Sequence, residues 1–195
     1  MTSRFATGVL VLVACVGSGL VLARPAASFE AASAAQAAGN PILVLDTAKG
    51  SIEIELLQNE APKSVEYIVD LVKKGFYRGQ RFHRSERSLV QVGDIQSRDV
   101  TKKAYWGRNM HTPTIGVAEI SKKLIHVRGS VGLAYAQGGT PASANSQFYI
   151  MKEASPSLNG KYAIIGRVKV GMPTVDTIEI GDLIKQATIK EATPK

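Results

Sequence analysis

The residues able to do chemistry are few and scattered. A single cysteine, Cys15, sits in an apolar stretch near the start of the chain. One cysteine makes no internal disulfide and seeds no zinc site. His83 and His126 lack the spacing of a metal site, and each reads as a structural hydrogen-bonding residue rather than a catalyst. Asp94 reads as a turn cap. No Gly-x-Ser-x-Gly elbow, phosphate-binding loop or dinucleotide fingerprint occurs. What remains is charge without proton transfer, in the run Arg81-Phe-His-Arg84. A guanidinium offers five N–H donors in a planar fork and does not lose its proton. Taken alone, Arg84 reads as a surface ion-pair partner.

These side chains need a scaffold. Ile42 to Thr47 is a short apolar strand, Lys49-Gly50 a turn, and residues 51–56 alternate polar and apolar with the period of a half-buried strand. Pro62 opens a helix, where proline is tolerated in the first turn. Val65, Ile68, Val69 and Val72 form its buried stripe and Gly75 its C-cap. Further strands are expected at 81–83, 89–92, 131–136, 147–151, 163–168 and 184–189, with a short helical turn over 175–180. Many short strands and few helices point to a mainly β domain, a barrel capped by helices.

The chain has 195 residues, a length suited to one domain with some to spare. An apolar fraction of 45% is that of a globular core-former. The net charge is +8, but Lys and Arg are dispersed, mostly as pairs such as Lys73-Lys74, Lys102-Lys103 and Lys122-Lys123. They read as solvated surface charge, and no nucleic-acid partner is expected. Residues 1–23 read as an export signal: Arg4, then an apolar run to Ala23, with a cleavage site near Ala23. An uncleaved membrane anchor is the alternative, and Leu12-Val-Ala-Cys15 gives a lipoprotein reading. Each places the domain outside the cytoplasm. Residues 24–40, rich in Ala and Ser, read as a flexible linker, and 41–190 as the domain.

Seven blocks in fixed order resemble the cyclophilins: Gly50-Ser-Ile-Glu-Ile-Glu-Leu-Leu; Ala61-Pro-Lys-Ser-Val-Glu-Tyr-Ile with Lys74-Gly-Phe-Tyr-Arg-Gly79; Arg81-Phe-His-Arg84; Gln91-Val-Gly-Asp94; His126-Val-Arg-Gly-Ser-Val-Gly-Leu-Ala; Ser146-Gln-Phe-Tyr-Ile150; and the run from Leu158-Asn-Gly to Gly171-Met172. The resemblance implies a closed eight-stranded antiparallel barrel capped by helices. It implies rotation of X–Pro bonds in proline-containing polypeptides, with no cofactor and no metal. A monomer is expected, tethered to a membrane only if the leader is retained.

An amide resists rotation because nitrogen shares its lone pair with the carbonyl, a barrier of roughly 18–20 kcal/mol. A catalyst must favour the twisted state, in which that sharing is lost and the prolyl nitrogen accepts a hydrogen bond. The resemblance gives that donation to Arg84, with Gln147 binding the substrate backbone and orienting the arginine. It places Phe82, Tyr149 and Leu158 in or behind an apolar proline slot, joined by either Leu89 or Val90. Gln91 and Gln137 fall at substrate-binding positions, and Tyr162 where the family has His or Tyr.

The segment 84–91 departs from the pattern by being about one residue short, so Ser88 or Leu89 stands where the family has a pocket phenylalanine. Ser157 replaces a tryptophan that contacts cyclosporin, which implies weak binding of that ligand. The altered segment keeps a rival open, a proline-binding module of the same fold with weak turnover.

Overall fold

The computed structural model describes residues 39–108 and 112–190. The leader expected at 1–23 and nearly all of the linker expected at 24–40 lie outside them. Eight strands form one antiparallel sheet: β1 Ile42–Thr47, β2 Gly50–Leu56, β3 Arg84–Ser85, β4 Leu89–Val92, β5 Ser130–Leu133, β6 Phe148–Met151, β7 Ile164–Val170 and β8 Ile184–Lys190. Their order across the sheet is β3-β4-β6-β5-β7-β2-β1-β8. Two α-helices accompany them among the described residues, α1 Pro62–Lys73 and α2 Met172–Thr177, along with short 3-10 turns.

The sheet corrects the expectation of a closed barrel: it is an open, strongly curled half-barrel capped by helices. Its edge strands β3 and β8 share no ladder. Only an isolated bridge between Arg81 and Leu183 and the bonds around it span the gap. The strand expected at 81–83 is displaced to Arg84–Ser85 because the preceding backbone bonds elsewhere. The Arg81 amide donates to Ser97 Oγ (2.9 Å) and the Phe82 amide to the Asp182 carbonyl (3.0 Å). Two residues of β3 are too few to run a ladder along β8.

Period-2 alternation sorts side chains onto the two faces of the sheet. The inner face carries Ile52, Ile54, Val90, Val92, Val131, Leu133, Phe148 and Ile150, all buried, and they pack with Val65, Ile68 and Val72 of α1 and Val175 of α2. Each such aliphatic side chain contributes about 1.5–3 kcal/mol by leaving water. Val69, expected in the helix stripe, is only partly buried at its edge.

Both ends of α1 have identifiable partners. The Lys63 and Ser64 amides, orphaned at the first turn, donate to the Glu119 carboxylate (3.1 and 2.7 Å). At the other end Gly75, at φ +69°, accepts the left-handed turn; Phe76 N–H bonds to Leu71 O (2.9 Å) and Gly75 N–H to Val72 O (2.9 Å). Tyr77 then drops into the core, its hydroxyl donating to the Ser146 carbonyl (2.8 Å), and so ties the helix exit to the entry of β6.

Gly93, just past β4, has φ +114°, and a Cβ there would collide with the Ser146 carbonyl. Gly93→Ala therefore faces backbone rather than a yielding side chain. We expect a loss of about 2 kcal/mol or more, read as a lowered urea midpoint. An unchanged midpoint would contradict this close approach of the two segments.

Candidate active site

The 84–91 segment makes a tight hairpin. Arg84 pairs with Gln91 and Ser85 with Val90, and the Glu86 amide donates to Leu89 O (2.8 Å), leaving Arg87 and Ser88 at the tip. Register then fixes what lies side by side on the outer face. Arg84 is opposite Gln91, Gln91 opposite Tyr149, and Tyr149 opposite Gly132. Directly opposed residues share a face, so these four make one row across β3, β4, β6 and β5.

A cleft of about 570 Å³ opens over this row, lined by Arg84, Leu89, Gln91, Gln137, Tyr149, Leu158 and Tyr162 together with the 134–136 segment and Gly138-Gly139. Seven of the ten residues singled out in the sequence meet here. Gln147 sits just behind, buried, its Oε1 accepting from Gln91 Nε2 (2.9 Å). The other two, like Gln147, do not line the cleft. Val90 has the opposite parity to Leu89 and Gln91, so it packs in the inner core and Leu89 takes the cleft position. Phe82 is fully buried in the same core and supports the site from beneath.

The cleft has its own apolar cluster, separate from the main core: Leu89, Ala134, Tyr149 and Met151, with Leu158 and Tyr162 packed on it. Tyr162 stacks on Tyr135 (ring centroids 4.6 Å apart) and meets Tyr149 edge-on (5.9 Å). Gly132 is required beneath Tyr149, since a Cβ there would fall inside the phenol. The Tyr149 hydroxyl reaches His126 Nε2 (2.8 Å), and burial pushes its pKa far above the ordinary tyrosine value.

At the rim Arg84 is half exposed. Its Nε and Nη2 donate to the two oxygens of Glu86 (2.7 and 3.0 Å) and Nη1 to Gln91 Oε1 (3.3 Å). This fork holds the Glu86 carboxyl below its usual pKa. Glu86 was not singled out in the sequence, although a position two residues from Arg84 on an extended hairpin arm places it on the same face. The arrangement sets a permanent hydrogen-bond donor beside an apolar, tyrosine-walled slot.

Asp94 caps as expected: Oδ1 accepts from Gln96 N–H (2.9 Å) and Oδ2 from Gly107 N–H (2.6 Å). His126 is a hydrogen-bonding residue, but His83 departs from that expectation. Both its ring nitrogens are buried and neither has a geometric hydrogen bond among the described residues, although the Gln147 side chain lies close enough to favour the protonated ring. Burial, with a smaller contribution from the Arg84 charge, lowers its pKa to about 4, while Asp94 acts in the opposite sense. The folded state therefore resists a proton that the unfolded chain accepts near 6.5. Stability from this group is complete above about pH 6.5 and is lost as pH falls toward about 4, by up to about 3 kcal/mol. We expect His83→Gln to flatten the urea midpoint between about pH 7 and 4.5 relative to the unaltered chain; parallel slopes would show that His83 is not the group resisting protonation.

Comparison with known proteins bears on what this site does. The family model described as "Cyclophilin type peptidyl-prolyl cis-trans isomerase/CLD" matches residues 42–193. A probable peptidyl-prolyl cis-trans isomerase of Brucella suis is 38% identical over 166 residues, covering 83% of this chain and 82% of the relative. A peptidyl-prolyl cis-trans isomerase-like protein of Rhizopus delemar is 35% identical over 133 residues, 68% of this chain and 76% of that one. Among solved structures, a Cryptosporidium parvum cyclophilin crystallised in the presence of the dipeptide Ala-Pro superposes with a TM-score of 0.65 at 24% identity, over 76% of this chain and 98% of that one. A likeness at that identity speaks to the fold alone. The sequence matches carry the rest: this chain belongs to the cyclophilin-type peptidyl-prolyl cis-trans isomerases, enzymes that act on proline-containing polypeptides.

Proposed function

We propose that the cleft rotates X–Pro bonds by donating a hydrogen bond from Arg84 to the prolyl nitrogen as it leaves amide planarity, and that its substrates are exported or envelope proteins. The observation that supports the first part most is the Arg84–Gln91–Tyr149 row, which puts a charged donor at the mouth of an apolar slot. The proline ring enters among Leu89, Tyr149, Leu158 and Tyr162. Gln147 and Gln91 hold the substrate backbone and the arginine, and Gln137 takes backbone on the far rim. The donor gains strength as the amide twists, because only then is the nitrogen lone pair free.

The export reading draws on the apolar run before Ala23. Mature protein beginning at Arg24 in the envelope fraction would support it; an intact Met1 terminus would point to an anchor, and label from fatty acid at Cys15 to a lipoprotein. A monomer is the accompanying proposal, tested by light scattering of the purified chain.

A second reading, a proline binder with weak turnover, draws on Glu86, which occupies the Nε–Nη2 edge of the Arg84 guanidinium. An isomerisation assay on a proline tetrapeptide separates the two. We expect clear acceleration by the unaltered chain and a loss of about 100-fold or more in kcat/KM for Arg84→Ala, with smaller change in peptide affinity. Tight peptide binding without acceleration would favour the binder.

The exposed Ser157 offers no ring to a cyclic peptide ligand. Cyclosporin is expected to bind weakly, and an affinity matching that of a tryptophan-bearing member would overturn that expectation.

A further inference from the structure

The floor of the slot is a tyrosine, and its hydroxyl has one hydrogen-bond partner among the described residues, His126. Asn159 fixes the state of that histidine. Asn159 Oδ1 faces the His126 backbone N–H (2.8 Å) and the ring nitrogen Nδ1 (3.1 Å). A backbone N–H only donates, so the atom facing it is the amide oxygen, and an oxygen that only accepts requires the proton on Nδ1. In the neutral ring Nε2 then carries the lone pair, and the Tyr149 O–H donates to it. The hydroxyl hydrogen is thereby turned away from the cleft, and the slot keeps an apolar floor.

We propose that His126, held in one tautomer by Asn159, is a positioning residue that keeps the Tyr149 hydroxyl directed away from the proline slot, so that protonating His126 weakens the grip on a prolyl ring. This deepens the isomerase reading and rests on its placement of proline over Tyr149. Protonated His126 donates from both nitrogens. The Tyr149 oxygen must then accept, and its hydrogen has to leave the direction of Nε2. The Gly132 side is closed by backbone lying against the phenol. The remaining direction is the slot, where an O–H without an acceptor opposes an apolar ring.

The surroundings suit such a relay. His126 is 2% exposed and its ring lies nearly parallel to that of Tyr149, with centroids 6.0 Å apart. Burial holds its pKa below the ordinary histidine value, with Asn159 opposing. The titratable groups facing the pair among the described residues are phenols, Tyr149 on β6, Tyr162 packed against it and Tyr135 stacked on Tyr162. Of the charged side chains on the adjoining segments, Arg128 pairs with Asp176, Lys152 bonds Ser85 and Glu153 pairs with Arg87, while Lys161 follows Asn159 and Lys122 and Lys123 precede His126.

The test uses the full chain and a blocked Ala-Ala-Pro-Phe tetrapeptide, with affinity and isomerisation both followed by NMR from about pH 7.5 down to about pH 5. The unaltered chain should lose about threefold to tenfold in affinity, seen as a rise in KM with kcat changing less. Tyr149→Phe, having no hydroxyl to redirect, should show a flat affinity over that range. So should His126→Gln, whose amide oxygen accepts without titrating. An acid loss of unchanged size in Tyr149→Phe would overturn the proposal and assign the effect to another group, such as His111, which lies outside the described residues. A flat profile in the unaltered chain would overturn it as well. Nitrogen-15 shifts of His126 at neutral pH give a readout independent of activity: a proton on Nδ1 is required, and the Nε2–H tautomer would sink the relay whatever the enzyme does. A chain that shows the Nδ1–H tautomer but binds no proline peptide at neutral pH refutes both the isomerase reading and the acid loss built on it, whereas normal neutral binding with an unaltered acid limb in Tyr149→Phe refutes the relay alone.

Discussion

The site depends on the register of a short antiparallel hairpin. Arg84 opposite Gln91, Gln91 opposite Tyr149 and Tyr149 opposite Gly132 is a statement about backbone pairing, yet it decides which side chains line the cleft. A slip of one residue between β4 and β6 would bring Val90 to the cleft and carry Gln91 into the core. Several features hold the register. Val90, Val92, Phe148 and Ile150 are buried on the inner face and have nowhere else to go. The tight approach of Gly93 to Ser146 pins the end of β4. Gln91, nearly buried, spends its amide on Gln147 and its carbonyl on Arg84, so a displaced strand would strand polar atoms away from water.

The row also explains how a long, half-exposed arginine is made definite. An exposed ion pair such as Arg84–Glu86 adds little stability by itself. Its value lies in direction: two donors face Glu86 and a third Gln91, and the fork is planar. Rotation of an X–Pro bond needs no proton to be transferred, only a donor already in place when the nitrogen lone pair appears. In the proposed mechanism, a guanidinium held by neighbours on the same hairpin would meet that requirement without rearrangement during the reaction.

Much of this was legible in the sequence, because local patterns there agree with the fold. The alternation in 51–56, the valine and isoleucine stripe after Pro62 and the exit at Gly75 all mark elements that are present. Leu89 and Val90 were left open, although strand parity distinguishes them once Gln91 is placed in the site: residues 89 and 91 share a face and 90 does not. Phe82 was assigned to the slot or its support on resemblance, and only burial shows that it lies in the main core and not in the cleft wall. Glu86 and the Asn159–His126–Tyr149 chain were invisible for another reason. They are side-chain meetings across 2, 33 and 23 positions, set by turn geometry and packing rather than by periodicity. Closure of the barrel was misread because the number of strands does not say whether the edge strands are long enough to pair.

The most direct test of this account is a double-mutant cycle on kcat/KM for prolyl isomerisation, built from Arg84→Lys, Gln91→Ala and the pair. If the row works by holding the guanidinium, Gln91→Ala slows the enzyme markedly when Arg84 is present and adds little once Arg84 is lysine, so the two losses are far from additive. Losses that simply add would contradict the account, because Gln91 would then act on substrate or on the fold independently of the arginine it faces.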